Sequence, residues 1–407
     1  METIVFIETT KSGSSREAIK AAKRLGFLTV LLTERTSFMK QRKEFSEVTQ
    51  MIHLSEMTEY HIRSEIRQLQ KQGKIIKAII SLVDPFVSIA AQLMNELCKS
   101  EISVESLRKM EDKTETRRAL KRNETTPKFE IFRPTENLKD YINKRHIFPL
   151  IVKSSVSKAS KDVYLVENIL EMEKAMKKIL KLYPYQKILL EEYLDGPQYL
   201  VEVLVHNGNT NIIAVFKQDI TKKIKFIVTG YEIQLNLDGE KYEKLIHTIE
   251  TIIKDLGVMN AASHLEVRYV NGIWKLIELN PRISGGAMNR MIEEAYGINL
   301  VEETIKLYLG RKPSLIKKHK KHIYTHYIII GSYGYLLKVT GRNMATKQPG
   351  VREVYVKPRK GSMLTPPLTM GHRYGYVIAT GDTSEEAKTN AINAASHIKF
   401  YLEPIEG

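Results

Sequence analysis

The sequence predicts a protein of mixed α/β and α+β class that begins with a doubly wound parallel sheet and continues into further domains. Its 407 residues correspond to two to four domains at roughly 150 residues each. Over the first hundred residues, short apolar segments alternate with helical patterns, which is typical of a parallel sheet covered by helices. Hydrophobic residues make up 43% and charged residues 27% of the chain, which is an ordinary globular composition.

The first hundred residues carry the signals of the parallel sheet. Ser14 or Ser15 is the expected N-cap of the first helix, and Gly26 is its expected end. Glu34 follows the second strand, where dinucleotide-binding folds place a ribose-binding acid. Only Gly13 lies in the first turn, however, so the glycine pattern of NAD-binding folds is missing. We predict strands at 4–7, 28–32 and 75–82, and helices at 16–25 and 87–97.

The remaining chain mixes hairpins with single helices. Asn207-Gly208 and Asn271-Gly272 are strong signals for tight hairpin turns. The basic, proline-containing stretch 310–321 is an expected linker. Strands are predicted at 150–153, 188–190, 199–205, 212–216, 262–270, 274–279, 323–330 and 374–379, and helices at 166–182, 242–256, 288–309 and 384–398. We expect domains at 1–108, 109–186, 187–310 and 311–407.

Charge and composition narrow the classes of partner. Lys+Arg is 63 and Asp+Glu is 47, a net charge of +16, and much of the excess lies in 217–225 and 311–321. No aromatic residues are interleaved there for base stacking, so we expect a small-anion site and no nucleic-acid partner. Cys98 is the single cysteine, no apolar run approaches the roughly 18 residues of a membrane span, and the first residues predict a strand rather than a leader. A cytoplasmic protein without a membrane partner is therefore expected.

Two acidic residues on the arms of one predicted hairpin carry the sharpest chemical signal. Glu266 and Glu278 lie twelve residues apart around the Asn271-Gly272 turn. A plain two-residue turn pairs Glu266 with Ile277 and puts the acids on opposite faces, whereas one extra residue in the loop pairs Glu266 with Glu278. We predict that the Asn271-Gly272 turn is bulged or longer than two residues, because only that register puts both acids on one face. Two carboxylates with Cβ atoms about 5 Å apart would suit a hard cation such as Mg²⁺. The alternative is an exposed strand pair with solvated acids.

The order of motifs resembles the ATP-grasp superfamily, and among its carboxylate–amine ligases most of all the bacterial L-amino acid ligases that make dipeptides. The resemblance rests on an apolar strand ending in Lys153, the segment Glu191-Glu-Tyr-Leu194, and Glu266 followed by Glu278-Leu-Asn280-Pro-Arg282 and Gly285-Gly286. It implies an ATP-grasp fold with a two-part nucleotide-binding domain and a C-terminal α+β lid. It also implies ATP-dependent joining of a carboxylate to an amine through an acyl phosphate, with release of ADP and phosphate. Small-molecule substrates are implied, and a homodimer is compatible with it.

The resemblance also implies roles for individual residues. Catalysis would fall to Arg282, on the transferred phosphoryl group, and to His264, which could assist the amine. Mg²⁺, or Mn²⁺ in its place, would bind Glu266, Glu278 and Asn280. The substrate would be bordered by Ser263, Arg268, Gly285, Gly286 and Met288. ATP would contact Lys113, Lys153, Ser160, Glu191, Glu192, Tyr193, Leu194 and Gln198.

Two departures from the family pattern keep other functions open. The phosphate-covering loop at 157–162 has no glycine, and Gln198 stands where the family usually has a glutamate. An ATP-binding sensor without ligase activity is one alternative. The presence of Arg282 argues against it, because sensing does not require this residue. A biotin carboxylase-like or purine-pathway ligase and a nucleic-acid-binding protein are the others. We expect residues 322–407 to close the cleft; the alternative is a remote structural domain.

Overall fold

A computed structural model describes residues 1–155, 162–222 and 226–404. The first part is the predicted parallel sheet, with strand order β3-β2-β1-β4. Strand β3 and helix α3 are not predicted from the sequence. The strands are β1 (Glu2–Ile7), β2 (Leu28–Thr33), β3 (Gln50–His53) and β4 (Ile75–Ile80). The helices are α1 (Ser14–Arg24), α2 (Thr36–Lys40), α3 (Glu59–Lys71), α4 (Val87–Cys98) and α5 (Val104–Glu111), with a short 3-10 helix at Arg42–Glu44.

Helix α1 begins without the serine cap that the sequence predicts. Gly13 is at the N-cap position, with φ 91°, and no side chain caps the helix. The Ser14 hydroxyl instead donates to the Ser284 carbonyl, and the Ser15 hydroxyl accepts from the Thr10 N–H at 3.1 Å. The prediction of a serine cap was wrong because these hydroxyls bond to other segments of the chain.

A separate four-stranded antiparallel sheet, of order β5-β8-β6-β7, follows in the chain. The predicted helix at 166–182 begins three residues late, because Val166 pairs with Leu150 in β7 and Asn168 caps the helix by accepting from the Glu171 N–H at 3.0 Å. The strands are β5 (Phe129–Phe132), β6 (Leu150–Ser154), β7 (Val163–Val166) and β8 (Ile188–Glu192), and the helices are α6 (Lys113–Ala119), α7 (Leu138–Ile142) and α8 (Ile169–Leu182).

The rest of the chain builds a large antiparallel sheet and a small one. The strands are β9 (Gln198–His206), β10 (Asn209–Lys222), β11 (Phe226–Ile233), β12 (Ala261–Val270), β13 (Ile273–Asn280), β14 (His322–Ile328), β15 (Gly334–Thr340), β16 (Val351–Val356), β17 (Met363–Leu364), β18 (Gly375–Gly381) and β19 (Lys399–Glu403). The helices are α9 (Gly239–Leu256), α10 (Met288–Tyr296), α11 (Leu300–Tyr308), α12 (Arg342–Thr346) and α13 (Ser384–Ser396), with a 3-10 helix at Met370–His372. The large sheet has the order β13-β12-β9-β10-β11-β14-β18-β16, and the small one β17-β15-β19.

The segment after the predicted linker continues the large sheet. Strand β14 pairs with β11 on one side and with β18 on the other. Helix α13 covers this end of the sheet through small residues such as Ala387 and Ala391, which pack with Val377 and Ala379 in one apolar cluster. The C-terminal segment is thus joined to the preceding strands by a backbone hydrogen-bond ladder.

The first sheet contacts the large one near the loop that contains Gly285 and Gly286, here called the glycine loop. A Cβ atom on Gly13 would lie 3.4 Å from the Gly286 nitrogen, so the turn between β1 and α1 closely approaches the loop after β13. Asn289 donates to the Ser14 hydroxyl at 2.9 Å across the same junction. Within the three described ranges, no helix is both long and apolar enough to cross a membrane.

Candidate active site

The β12–β13 hairpin brings the two acidic residues together by a bulge within β13. Asn271 and Gly272 form a two-residue turn with φ values of 49° and 82°, and Val270 pairs with Ile273. The turn is neither bulged nor longer than two residues, so the prediction for the turn was wrong. The register shifts between Glu266 and Val267, where Ile277 is the extra residue, and Glu266 then lies directly opposite Glu278. The predicted pairing of the two acids is confirmed.

The geometry of this acidic pair suits a divalent cation. Burial raises the pKa of Glu266, and the facing charge of Glu278 raises it further. Asn280 lies two residues beyond Glu278 on the same face, opposite His264. In the described part of the chain, no group of three or more His, Cys, Asp or Glu side chains could hold a metal ion. Two carboxylates and an amide oxygen nevertheless fit Mg²⁺, which takes few protein ligands when phosphate oxygens complete its shell.

Two lysines flank the acidic pair. The Lys113 Nζ lies 3.4 Å from the Glu278 Oε1, and Lys113 is the first residue of α6, which Asp112 caps by accepting from the Thr114 N–H at 2.7 Å. The Lys153 Nζ lies 3.5 Å from the Ile277 carbonyl oxygen, so it reaches the bulge itself. Both predicted nucleotide lysines therefore point to the same end of the hairpin.

Lys153 belongs to a buried group of three charges. Its Nζ lies 2.6 Å from the Glu191 Oε2, and Arg117 donates to the other oxygen of Glu191. Arg117 also donates to the Leu276 and Ile277 carbonyls at 2.9 and 2.7 Å. All three side chains are almost inaccessible to solvent, and desolvation lowers the pKa of Lys153 despite its partner. No local pattern indicates that Arg117, in a highly charged helix, is buried.

The segment between β8 and β9 is the predicted adenine-binding hinge. The Glu192 and Tyr193 N–H groups donate to the Lys128 and Pro149 carbonyls at 3.0 and 3.2 Å, so both are already engaged within the protein. The Glu192 side chain also bonds within the protein, accepting from the Lys128 N–H at 2.9 Å.

Gln198 and Arg268 lie beside this hinge. The Gln198 amide donates to the Glu266 Oε2 at 3.0 Å and accepts from the Arg268 Nε at 3.2 Å. Arg268 also donates to the Leu194 carbonyl, and its guanidinium carbon lies 5.6 Å from the centre of the Tyr193 ring. Arg268, predicted as a substrate residue, therefore lies on the side of the hinge.

His264 is held by an acidic residue that sequence reasoning left without a role. The His264 Nδ1 lies 2.6 Å from the Glu202 Oε1, and the other Glu202 oxygen accepts from the Ser284 N–H at 3.1 Å. Burial alone would lower the pKa of His264, but the Glu202 carboxylate outweighs it and raises the pKa. The pair thus fixes the start of the glycine loop. A glutamate flanked by valines in a buried strand was the available signal.

Arg282 makes an ion pair with the first sheet. Its Nε and Nη2 donate to the Asp84 Oδ2 at 3.0 and 2.7 Å. Asp84 follows β4, and its buried Oδ1 has no hydrogen-bond partner among the described residues. This partner was missed because nearly 200 residues separate it from Arg282 in the sequence.

The predicted substrate residues divide between two faces. Gly285 and Gly286 form the loop near Gly13, and Met288 begins α10 beside them. Ser263 lies on the opposite face of β12 from His264, among the apolar residues that pack against the helices. Because neighbouring strand residues alternate in direction, Ser263 does not share the face of His264, and its place in the substrate site stays a prediction. Ser160 and most of the glycine-free loop lie outside the described residues.

Known families and proteins resemble this chain over most of its length. Residues 146–290 match the ATP-grasp domain family, and residues 326–403 match the family "L-amino acid ligase C-terminal domain 2". The crystal structure of an L-amino acid ligase from Bacillus licheniformis superposes with a TM-score of 0.85, 19% identity and 99% coverage of both chains. The biotin carboxylase domain of the Hydrogenobacter thermophilus 2-oxoglutarate carboxylase, solved with MgADP and bicarbonate, gives a TM-score of 0.72, 17% identity, and coverage of 98% of this chain and 91% of that one.

Curated proteins match parts of the chain. Dapdiamide A synthase of Enterobacter agglomerans is 23% identical over 195 residues, 46% of each protein. The protein y4rH of Sinorhizobium fredii is 24% identical over 260 residues, 63% of this chain and 54% of that protein. The matched region thus spans about half the length of these two relatives. Together with the fold, the family matches show that the chain contains an ATP-grasp domain and an L-amino acid ligase C-terminal domain on an ATP-grasp fold.

Proposed function

We propose that this protein is an ATP-dependent carboxylate–amine ligase that joins two amino acids into a dipeptide. The observation that carries the proposal is the bulge at Ile277. It places Glu266 directly opposite Glu278, and Lys113 and Lys153 lie beside this pair. A facing pair of acids with two cations alongside matches what a metal–triphosphate complex requires. The C-terminal domain match, specific to L-amino acid ligases, supports amino acids as substrates.

The chain's residues would bind the nucleotide from both sides. Lys153 would contact the α- and β-phosphates, Lys113 the phosphates near Glu278, and the Leu194 N–H the adenine edge. Glu266, Glu278 and Asn280 would hold Mg²⁺, which supplies charge neutralisation for the triphosphate when bound. His264 is assigned a positioning role, because its contact with Glu202 supports the backbone of Ser284.

The reaction follows from the chemistry of carboxylates. A carboxylate oxygen attacks the γ-phosphorus, the bond to ADP breaks, and an acyl phosphate forms. The amine nitrogen then attacks the acyl carbon, inorganic phosphate leaves with the C–O electron pair, and the nitrogen loses a proton to water. Arg282 would stabilise the transferred phosphoryl group, for which it must exchange its contact with Asp84.

Release of ADP from MgATP tests the proposal. We expect release only when two L-amino acids, or one that serves in both roles, are present, with a dipeptide detected by mass spectrometry. Glu278→Gln should abolish release at ordinary Mg²⁺ concentrations, whereas Glu240→Gln, whose side chain is exposed on α9, should not. Release that requires bicarbonate would instead indicate a carboxylase. ATP binding without release in any mixture would indicate a sensor.

A further inference from the structure

A second polar cluster lies on the same face of the large sheet as Glu266. Glu266 is opposite Leu200 in β9, and Leu200 is opposite Phe216 in β10, so these three side chains share a face. Gln218 is two residues beyond Phe216 and lies on that face as well. Its partner in β11 is Tyr231.

The cluster extends into the C-terminal segment. Tyr231 is opposite Thr325 in β14, and Tyr327 lies two residues further on the same face. Arg373, which precedes β18, places its guanidinium carbon 3.9 Å from the centre of the Tyr327 ring and 5.9 Å from that of Tyr231. The guanidinium is thus stacked on an aromatic side chain, an arrangement that favours arginine over lysine.

Three polar atoms of this cluster have no hydrogen-bond partner. They are the Arg373 Nη1, the Gln218 Oε1 and the Thr325 Oγ1, each shielded from solvent and unpaired within the described ranges. Elsewhere on the same side chain, the Arg373 Nε donates to the Met370 carbonyl at 3.2 Å, and a side-chain hydrogen bond joins the guanidinium to Tyr231. Because a buried polar atom without a partner is unfavourable, three in one cluster suggest that a ligand completes them.

The cluster borders the candidate active site. The Tyr327 hydroxyl accepts from the Ala287 N–H at 3.4 Å, and a Cβ atom on Gly286 would lie 3.2 Å from it. Burial raises the pKa of Tyr231 to about 12, and the charge of Glu266 acts in the same direction while Arg373 opposes it. The charges of Glu266, in the candidate metal site, and of Arg373 therefore both act on the Tyr231 hydroxyl.

We propose that Arg373 binds the α-carboxylate of the amino acid that supplies the amine, an inference that rests on the proposed ligase function. Its free Nη1–H groups are donors to an oxyanion and cannot be lost by deprotonation at ordinary pH. Gln218 and Thr325 provide neutral acceptors on the same face, as an amino group requires. The amine substrate is therefore an α-amino acid, and a simple amine or an amino acid amide is a poor substitute.

Calorimetry of amino acid binding tests this inference apart from turnover. The full chain, saturated with MgADP, is titrated with each of the twenty L-amino acids and with the corresponding α-amides, which keep the ammonium and lack the negative charge. We expect at least one amino acid to bind on the order of 10- to 100-fold more tightly than its amide, the usual effect of a hydrogen bond to a charged group.

Variants of Arg373 test whether this residue causes the tighter binding of the amino acid relative to its amide. Arg373→Met should bind the acid and its amide equally weakly, Arg373→Lys should keep part of the preference, and Arg352→Met, an exposed control, should keep all of it. The inference is overturned if no amino acid binds the wild-type protein, if the wild type does not distinguish acid from amide, or if Arg373→Met keeps the preference. A loss of MgADP affinity in Arg373→Met would also overturn it, since Arg373 would then bind phosphate. Binding as expected, with no ADP released from MgATP, leaves the Arg373 site in place and refutes the proposed ligase.

Discussion

Glu191 is the single carboxylate between the buried cations Lys153 and Arg117. Replacing Glu191 should lower the free energy of unfolding more than replacing either of these two partners. In Glu191→Gln, Lys153 and Arg117 face each other without their anion, while the side chain keeps its size. The side chains of Glu191 and both partners are at most 6% exposed, so solvent cannot screen the repulsion. Breaking a buried ion pair by removing one partner costs about 3–5 kcal/mol, and we expect Glu191→Gln to lose this much unfolding free energy.

Two further variants calibrate that magnitude. Arg117→Met leaves Glu191 paired with Lys153 at 2.6 Å but loses the Arg117 hydrogen bond to Glu191 and two hydrogen bonds to carbonyls, so it should cost about 2–3 kcal/mol. Glu192→Gln makes the same chemical change one residue away, where the amide oxygen can still accept from the Lys128 N–H. It should cost at most about 0.5 kcal/mol, as surface substitutions usually do.

Urea unfolding followed by tryptophan fluorescence measures these differences. Trp274 is the single tryptophan and lies buried in β13, two residues before Leu276, whose carbonyl accepts from Arg117. Raising the pH from 7 to 9 should reduce the difference in unfolding free energy between wild type and Glu191→Gln. The reason is that the buried Lys153 can release its proton in the folded variant, whereas it keeps that proton in the unfolded chain. The assigned role of Glu191 is contradicted if Glu191→Gln is no less stable than Glu192→Gln, or if Arg117→Met is the less stable of the two buried variants.

Three further outcomes are expected. Arg282→Ala should keep MgATP affinity, measured by calorimetry, while ligation at saturating substrate falls on the order of 10²- to 10³-fold; an unchanged rate would exclude its contact with the transferred group. Glu278→Ala should raise the Mg²⁺ concentration needed for half-maximal ADP release at least about tenfold, and an unaltered Mg²⁺ dependence would contradict the metal site. Burial favours a higher pKa for Asp219, but Lys388 and Tyr324 outweigh it and lower the pKa. This contribution to stability is present above the unfolded pKa and is lost as the pH falls through the folded one, so the melting temperatures of wild type and Asp219→Asn should differ at pH 6 and converge below pH 4.

Regular elements with strong periodic patterns could be predicted from the sequence. Helix α9 and strands β12 and β13 lie within a few residues of their predicted bounds, because apolar spacing and the glycines at 257 and 272 mark them locally. Strand β3 could not be predicted, since Gln50–His53 is short, half-exposed and at the sheet edge, so its pattern is weak.

In the candidate site, too, local features could be predicted from the sequence and contacts between remote segments could not. The spacing of Glu266 and Glu278 predicted their pairing, although the extra residue lies in the strand and not in the turn. The contact of Arg282 with Asp84 could not be predicted, because Asp84 comes from a remote segment and burial of a charge depends on tertiary neighbours. A charged residue in a local pattern is usually exposed, and the sequence alone does not reveal an exception.

The ladder between β11 and β14 restricts how a substrate can enter. Three residue pairs join the strands, and at Gly230 a Cβ atom would lie 1.9 Å from the Tyr324 hydroxyl, so the contact is closely fitted. Rotation of the C-terminal segment away from the cleft would break these backbone hydrogen bonds. Among the described residues, the sheet formed by β5 to β8 has no such ladder to the large sheet and is linked to it by side chains such as Arg117. For the proposed ligase, we therefore expect nucleotide exchange and product release to proceed by outward movement of the sheet formed by β5 to β8, while the C-terminal segment that carries Arg373 stays in place.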